Sequence, residues 1–301
     1  MSGKRGPLLM TLRAAVLGHP ISHSKSPALH LAAYGKLGID IRYTAVDLTA
    51  QALPDFMREV RAQDGWRGLS VTMPLKTAMM SEVDEVRGIA RVLGVVNTVA
   101  FETVAFENDA GTTVRRIGYN TDVAGIVNAV RYAGVAPAPA AVILGGGGTS
   151  AAAVAALKDL GAKSVQVFVR DTGRATEARA AAAGVGLEVD VRPLAEAASP
   201  TASADVVIST LPPRAADSLA DELAGIPTLG CGVLLDVAYD PWPSRIASVW
   251  QAGGGSVVPG LEMLLYQAVE QVRLFSRLDE EVNAAVIDVM CDAVGLPRRA
   301  F

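Results

Sequence analysis

The stretch that decides the fold is Ala141-Val142-Ile143-Leu144-Gly145-Gly146-Gly147-Gly148-Thr149-Ser150-Ala151. Its four apolar residues are typical of a buried strand, which runs into a glycine turn and then into small residues suited to a helix. Gly145 and Gly147 take the first two positions of the pattern G-x-G-x-x-[GA], and Ser150 takes the third. Such glycines allow a tight turn and let backbone N–H groups approach a pyrophosphate at a helix N-terminus. Glycine turns also occur for structural reasons, but this context predicts a dinucleotide site at Gly145, Gly146, Gly147, Gly148 and Thr149.

The next predicted strand bears on the choice between NAD and NADP. It ends in Arg170, followed by Asp171 and then Arg174. In an NAD site an acid at this strand end hydrogen-bonds the ribose 2′-hydroxyl, whereas two guanidinium groups four residues apart can grip a 2′-phosphate. We therefore predict NADP, bound by Arg170 and Arg174. A solvated arginine at a strand end is the structural alternative, and Asp171 leaves NAD open.

Short β-branched runs alternate with alanine-rich stretches along the chain. Strands are predicted at 13–18, 41–46, 67–72, 140–144, 164–169, 187–192, 204–209, 233–237 and 256–258. Helices are predicted at 27–37, 50–62, 148–160, 174–183, 243–252 and 261–275, and a last helical segment at 279–294. Residues 95–118 favour two or three short strands around a loop at Asn108–Gly111. Strands alternating with helices predict the α/β class with parallel sheets, here as an N-terminal α/β domain, a dinucleotide-type domain and a helical return.

Composition supports two globular domains and excludes several classes of protein. A chain of 301 residues exceeds the usual size of one domain. A net charge of −4 and a pI near 5.5 argue against a nucleic-acid partner. Cys231 and Cys291 make neither a disulfide framework nor a metal site, and we expect both to be buried or incidental thiols. His19, His23 and His30 lack ligand partners at suitable spacing, so no metal is predicted.

One stretch imitates a membrane span. Residues 133–157 carry no charge and are long enough to cross a bilayer, but they include Pro137, Pro139 and the glycine run. A strand, a turn and a helix start explain them better. The apolar stretch near the N-terminus is broken by Arg13, too early for a signal peptide, so a cytoplasmic location without a membrane partner is expected.

The N-terminal region carries a longer motif, Gly18-His19-Pro20-Ile21-Ser22-His23-Ser24-Lys25-Ser26-Pro27-Ala28-Leu29-His30. Further motifs follow in order: Ser70-Val71-Thr72-Met73-Pro74-Leu75-Lys76, Val96-Asn97-Thr98, Gly118-Tyr119-Asn120-Thr121-Asp122, Asp236-Val237-Ala238-Tyr239-Asp240-Pro241, and Gly260-Leu261-Glu262-Met263-Leu264-Leu265-Tyr266-Gln267-Ala268. Together they closely resemble the shikimate dehydrogenase family over nearly the whole chain.

That resemblance implies two domains with a cleft between them for the reacting pair. Residues 1–120 and 260–301 would form an N-terminal α/β substrate domain completed by C-terminal helices, and residues 121–259 a Rossmann-type NADP-binding domain. It also implies reversible NADPH-dependent reduction of 3-dehydroshikimate to shikimate, on the route to chorismate and the aromatic amino acids. The partner would be this small molecule, and the chain would be a monomer or homodimer.

The family pattern assigns Ser24 and Ser26 to the substrate carboxylate, which hydroxyls and free amides near a helix start suit. Either serine could instead simply cap the helix that we expect near Pro27. Hydroxyl and amide groups for the substrate ring come from Thr72, Asn97, Asn120 and Gln267, each of which could also be a turn or core hydrogen-bonder. Tyr239 and Gly260 match family positions near the nicotinamide, and we group Tyr239 with the substrate residues and Gly260 with the cofactor residues.

Lys76 and Asp122 carry the chemistry in this interpretation. Lysine near the reacting oxygen can stabilise a developing alkoxide and take part in proton transfer. Taken alone, Lys76 would be a solvated lysine at a helix start. Which of the two residues moves the proton stays open.

Four positions depart from the family pattern: Ser70, Tyr119, Val123 and Glu262. They fit variation between lineages, altered specificity or lost activity. The alternatives are therefore an NAD-using quinate/shikimate dehydrogenase and a catalytically silent ligand-binding homologue. Lys76 and Asp122 are both present, which disfavours the silent homologue.

Overall fold

In this computed structural model the structure describes residues 11–105, 112–227, 230 and 232–299. The predicted loop at Asn108–Gly111 and the thiol of Cys231 lie outside those residues. The chain divides into two compact units. Unit 1 takes its described residues from Met1–Arg87, Val96–Tyr119 and Gln271–Phe301, and unit 2 from Gly88–Val95 and Asn120–Glu270. The domain bounds expected from the resemblance stay a prediction.

Unit 1 contains a mixed six-stranded sheet. Its strands are β1 (Leu12–Gly18), β2 (Ile41–Asp47), β3 (Trp66–Val71), β4 (Glu85–Val86), β5 (Thr98–Ala105) and β6 (Thr112–Tyr119), in the order β2-β1-β3-β5-β6-β4. β1 pairs in parallel with β2 and β3, whereas β5 runs antiparallel to β3 and β6. The ends of β1 and β3 and the start of β5 therefore lie at one edge of the sheet.

Unit 2 contains a six-stranded sheet in which every pair is parallel. Its strands are β7 (Ala141–Leu144), β8 (Ser164–Val169), β9 (Glu188–Pro193), β10 (Val206–Ser209), β11 (Val233–Asp236) and β12 (Ser256–Pro259), in the order β12-β11-β10-β7-β8-β9. This is the strand order of the doubly wound dinucleotide-binding fold, and the predicted α/β class is confirmed. The order reverses between β7 and β10, where such sheets bind ligands beyond the strand ends.

The α-helices are α1 (Ser26–Leu37), α2 (Leu53–Arg61), α3 (Ile89–Leu93), α4 (Asp122–Tyr132), α5 (Gly148–Asp159), α6 (Thr176–Val185), α7 (Ala198–Ser203), α8 (Asp217–Ala224), α9 (Arg245–Ala252), α10 (Gly260–Ser276) and α11 (Ala284–Val294). Residues 133–157 form a loop, β7 and most of α5, as predicted. Within the described ranges, none of the helices has both the length and the apolarity that crossing a bilayer requires.

Two predicted helices begin three or more residues too early. The helix predicted from residue 50 starts at Leu53, because Pro54 is favoured in a first helical turn, where its missing N–H needs no acceptor. The helix predicted from residue 279 starts at Ala284, where the Asn283 side chain accepts a hydrogen bond from the Ala285 N–H at 3.0 Å and caps the helix.

The C-terminal helices complete unit 1. Gly260–Glu270 of α10 belong to unit 2, and unit 1 begins again at Gln271 within the same helix. Helix α11 packs against α1. Its Cys291 is a buried thiol, in agreement with the prediction.

Candidate functional site

The glycine turn of unit 2 joins the end of β7 to the start of α5. Gly145 has φ +108°, and a Cβ there would lie 2.4 Å from Thr210 Oγ1, so only glycine fits. A Cβ on Gly147 would meet no atom within 4 Å. No contact inside the described chain therefore requires glycine at position 147. The space beside Gly147 is open to a ligand. The first N–H groups of α5 lack acceptors within the helix, as anion sites of this kind require.

The predicted 2′-phosphate site lies just after β8. Arg170 and Arg174 are both exposed. The Asp171 carboxylate accepts a hydrogen bond from the Gly173 N–H at 2.9 Å and so caps the short 3₁₀ helix Thr172–Arg174. Because Asp171 is engaged in this turn while the two guanidinium groups reach solvent, the local structure favours NADP over NAD.

The predicted substrate residues of unit 1 gather at one sheet edge. Ser24 and Ser26 follow β1, Thr72 and Lys76 follow β3, and Asn97 comes just before β5. Backbone hydrogen bonds join the loops that carry them: the His19 N–H to the Met73 carbonyl at 3.0 Å, the Val71 N–H to Asn97 at 2.7 Å, and the Val96 N–H to Lys76 at 3.0 Å. A Cβ on Gly18 would lie 2.4 Å from Thr72 Cγ2, so glycine there lets these loops touch.

The serines lie one residue closer to the helix than expected. Helix α1 begins at Ser26 itself, and its N-cap Lys25 makes no side-chain cap. Ser24 Oγ accepts a hydrogen bond from the Ser26 N–H at 3.3 Å. This long hydrogen bond is the helix-capping role that we considered as the alternative for Ser24. Ser26 is buried, with 4% of its surface exposed, whereas Ser24 is half-buried.

A buried polar network lies behind these residues. The Tyr43 hydroxyl donates to Ser70 Oγ at 2.7 Å, and Ser70 Oγ donates to Gln271 Oε1 at 2.7 Å. Gln271 Nε2 donates to Thr98 Oγ1 at 2.9 Å, and Thr98 Oγ1 donates to Asn97 Oδ1 at 2.8 Å. The Asn97 side chain is thereby held through a chain of four hydrogen bonds.

His30, the last residue of the N-terminal motif, belongs to the same network. Its Nε2 lies 3.2 Å from Gln271 Oε1 and its Nδ1 lies 2.9 Å from the Tyr34 hydroxyl. The ring stacks on Tyr43 with centroids 4.1 Å apart. Complete burial lowers the pKa of His30 to about 3, partly offset by the hydrogen bond with Gln271. The imidazole is therefore neutral and serves the core.

In unit 2, Asn120, Asp122 and Gln267 lie around the start of α4. Asn120 Oδ1 accepts from the backbone N–H groups of Asp122 at 3.0 Å and Val123 at 3.4 Å, so its amide caps the helix. Asp122 is the first residue of α4 and is 4% exposed. Gln267 Oε1 accepts from Thr121 Oγ1 at 3.4 Å.

Tyr239 lies in the loop after β11, and Gly260 begins α10. Burial, then the charge of Asp240, raises the pKa of Tyr239. A Cβ on Gly260 would lie 2.2 Å from the Val237 carbonyl oxygen, so Gly260 is needed for this backbone contact. Asp236 anchors the loop by accepting from Ser244 Oγ at 2.6 Å and from the Ala238 N–H at 3.3 Å.

Comparison with known proteins identifies the family. A family profile described as the shikimate dehydrogenase substrate binding domain matches residues 16–99. The shikimate dehydrogenase (NADP(+)) of Rubrobacter xylanophilus is 36% identical over 280 residues, which are 91% of this chain and 94% of that protein. This chain belongs to the shikimate dehydrogenase family.

Solved structures of the family agree with this assignment. The shikimate dehydrogenase of Mycobacterium tuberculosis superposes with a TM-score of 0.77 at 36% identity, covering 94% of this chain and 98% of that one. The enzyme of Thermus thermophilus, solved in complex with NADP(H) and shikimate, has a TM-score of 0.71 at 32% identity and covers 94% of this chain and 99% of that one.

Three departures from the family pattern have a structural account. Ser70 is 3% exposed and joins Tyr43 to Gln271. The Tyr119 hydroxyl donates to Glu102 Oε1 at 2.7 Å, and Arg87 donates to both Tyr119 and Glu102. Val123 packs into the core of unit 2. Glu262 is 7% exposed, and its replacement of a small residue is not explained by the structure.

Tyr43 and Gln271 were missed by reasoning from the sequence. No local pattern marks either residue, since Tyr43 lies in a strand and Gln271 in a helix, and their partners are distant along the chain. His30, at the end of the N-terminal motif, was a residue of this network that a motif marked in the sequence. It lacks partners at the spacing of metal ligands, so no metal site was predicted there. In the described ranges no group of three or more His, Cys, Asp or Glu residues could hold a metal ion.

Proposed function

We propose that this protein catalyses the reversible NADPH-dependent reduction of 3-dehydroshikimate to shikimate. The observation that carries the proposal is the match, over 91% of the chain, to a relative named shikimate dehydrogenase (NADP(+)). This assignment makes the protein an oxidoreductase acting on a CH–OH group, in the route to chorismate and the aromatic amino acids.

NADP fits the residues of unit 2. Bound NADPH supplies the hydride for the reaction. The backbone of Gly145–Thr149 would face the pyrophosphate, where the open position at Gly147 leaves room for it. Arg170 and Arg174 would pair with the 2′-phosphate, since neither is buried against another part of its unit.

The substrate carboxylate is assigned to Ser24 and Ser26, which lie where α1 offers free N–H groups. The ring hydroxyls are assigned to Thr72, Asn97, Asn120, Gln267 and Tyr239. Asn97 is supported best, because hydrogen bonds hold its side chain and the sheet edge positions it. Asn120 has the weaker case, because its Oδ1 already caps α4.

Lys76 and Asp122 are the proposed catalytic residues. Hydride adds to the ketone carbon, the π electrons of the C=O bond move to oxygen, and a proton completes the hydroxyl. The ammonium of Lys76 would stabilise the charge that develops on that oxygen. Lys76 stands on the loop after β3, and its backbone is tied to Val96. Asp122 would orient the lysine or exchange the proton with it.

The test follows NADP reduction by near-ultraviolet absorbance with shikimate or quinate and with NADP or NAD. We expect shikimate with NADP to be preferred. Lys76→Ala should lower kcat by roughly 10² to 10⁴ while shikimate still binds. Lys36→Ala, an exposed lysine on α1, is the matched control and should leave turnover unchanged.

The other outcomes select the alternatives. Preference for quinate with NAD would make the protein a quinate/shikimate dehydrogenase and Arg170 a surface residue. Binding without turnover, for every substrate and cofactor pair, would indicate a silent homologue and remove the catalytic roles of Lys76 and Asp122.

A cytoplasmic location, a monomeric or homodimeric state and the lack of a nucleic-acid partner belong to this proposal as well. The net charge of −4 supports the lack of a nucleic-acid partner. Light scattering after gel filtration would decide between monomer and homodimer.

A further inference from the structure

A pocket of unit 1 opens at the sheet edge where β1 and β3 begin. Its volume is about 200 Å³, and its lining includes Arg61, Arg67, Arg116, Arg277, Trp66 and Phe101. The proposed substrate residues lie at the other end of the same strands. Because a strand of seven residues is roughly 20 Å long, this pocket is distinct from the substrate-side residues.

Two of the four arginines have their charge compensated. Arg61 Nη2 pairs with Glu82 Oε2 at 3.0 Å. Arg116 pairs with Asp84 through its guanidinium group and its backbone N–H. These pairs hold the arginines in place and leave little net charge on that side of the pocket.

The other two arginines have no such partner. Arg67 donates to the carbonyl oxygens of Phe275 at 3.1 Å and Ser276 at 3.3 Å, and Arg277 Nη2 donates to that of Phe101 at 2.6 Å. Neither arginine forms an ion pair with a carboxylate of the described residues. Burial, then the charge of Arg277, lowers the pKa of Arg67, so the two cations also repel each other.

Two residues that line the pocket carry a buried donor without an acceptor. Trp66 Nε1 and Arg116 Nε are buried and have no hydrogen-bond partner in the part of the chain that the structure describes. Asp64 lines the pocket too, but it is exposed and pairs with neither Arg67 nor Arg277. Because Arg67 and Arg277 have no carboxylate partner among the described residues, the pocket suits a ligand that brings acceptor oxygens and negative charge.

We propose that this pocket binds a small organic acid, with its carboxylate between Arg67 and Arg277 and its apolar body beside Trp66. Planar guanidinium groups suit a carboxylate. The rings of Trp66 and Phe101 stack at 25° with centroids 6.3 Å apart, and Val114 adds an apolar side chain that is 51% exposed. An apolar body packs on this wall, which is why the ligand is an organic acid rather than an inorganic anion. The volume is below the roughly 300 Å³ at which sites for drug-sized ligands begin, so a single ring is the expected size.

The test is a ¹H–¹⁵N spectrum of the indole groups during titration with benzoate, without substrate or cofactor. The chain has three tryptophans, so Trp66→Phe identifies the relevant signal by its loss. Benzoate should shift the Trp66 indole signal to saturation, because its ring and its carboxylate then lie beside the Trp66 side chain. Without substrate or cofactor present, the result does not depend on the proposed dehydrogenase activity.

Variants connect that shift to the arginines. Arg277→Gly should weaken benzoate binding by roughly tenfold or more, and it should fold because φ at this position is +62°, which glycine adopts readily. Thr103→Glu, at an exposed lining position, should also abolish binding by placing a carboxylate in the pocket. Arg58→Gln removes a charge from an exposed helix position outside the lining and should change nothing.

Three results would overturn the proposal. The first is a Trp66 signal that does not move with benzoate. The second is binding that is as tight in Arg277→Gly and Thr103→Glu as in the unchanged protein. The third is inorganic phosphate that binds as tightly as benzoate, which would show a general anion site in which the apolar wall has no role.

Discussion

The glycine turn of unit 2 and the sheet edge of unit 1 are built in different ways. The turn is one continuous stretch, in which Gly145 lies against Thr210 and α5 starts two residues after Gly146. The sheet edge brings together residues from three separate stretches. Its side chains depend on a buried network in which Ser70 and Gln271 are 201 residues apart in the chain.

This difference sets how each region fails. A change in the turn alters local backbone and ligand contacts, while the rest of the sheet keeps its packing. A change in the network leaves buried donors and acceptors without partners, which costs free energy of unfolding throughout unit 1. The following predictions test that contrast, from the largest expected effect to the smallest.

Gln271→Leu should lower the free energy of unfolding by about 4 kcal/mol, because His30, Ser70 and Thr98 lose a buried partner. Urea denaturation measures the change. Gln251→Leu, at an exposed position of α9, is the control and should cost little. A loss below about 1 kcal/mol for Gln271→Leu would mean that the network does not hold the sheet edge.

Acid should destabilise the protein through His30. Its pKa is about 3 when folded, against an ordinary value of 6.5 for histidine, so the unfolded chain binds the extra proton between these values. The contribution of His30 to the free energy of unfolding is fully present above the higher value. It falls by about 1.4 kcal/mol per pH unit below that value, so the loss is about 3 kcal/mol near pH 4. Urea denaturation from pH 7 to pH 4 should give a shallower pH dependence for His30→Gln. If stability depends on pH equally in His30→Gln and in the unchanged protein, His30 does not cause the loss of stability in acid.

Gly145→Ala and Gly147→Ala make the same chemical change with different consequences. Gly145→Ala should cost about 2 kcal/mol of stability even without cofactor, because φ at this position is +108°. Gly147→Ala should leave unfolding unchanged and raise the KM for NADP, because its Cβ would occupy open space. Thermal unfolding with and without NADP separates the two. Equal behaviour of the pair would remove the ligand role of Gly147.

Arg170→Gln should have the smallest effect and should act on one cofactor only. We expect NADP to bind about tenfold more weakly, because one charge-assisted contact with the 2′-phosphate is lost, while NAD is unaffected. Fluorescence titration of both cofactors measures this. Arg179→Gln, an exposed arginine on α6, is the control. A parallel loss for NAD and NADP would assign Arg170 to folding rather than to the phosphate.

Much of unit 2 was predictable because its signals are local. The strand predicted at 164–169 is β8, and the turn at Gly145–Gly148 lies between β7 and α5 as expected. Helix starts were less predictable. Leu53 and Ala284 begin helices because of Pro54 and Asn283, and a hydrophobic pattern does not register such capping residues.

The sequence by itself determined the family, the α/β class, the nucleotide turn and the set of residues proposed to react. Each of these depends on short stretches whose residues act on their immediate neighbours. Only the tertiary structure decided that His30 is a neutral core residue and that Ser70 links Tyr43 to Gln271. The physical reason is that burial and hydrogen-bond partners arise from segments far apart in the chain. Residue type alone does not determine which of several possible partners a polar side chain will meet.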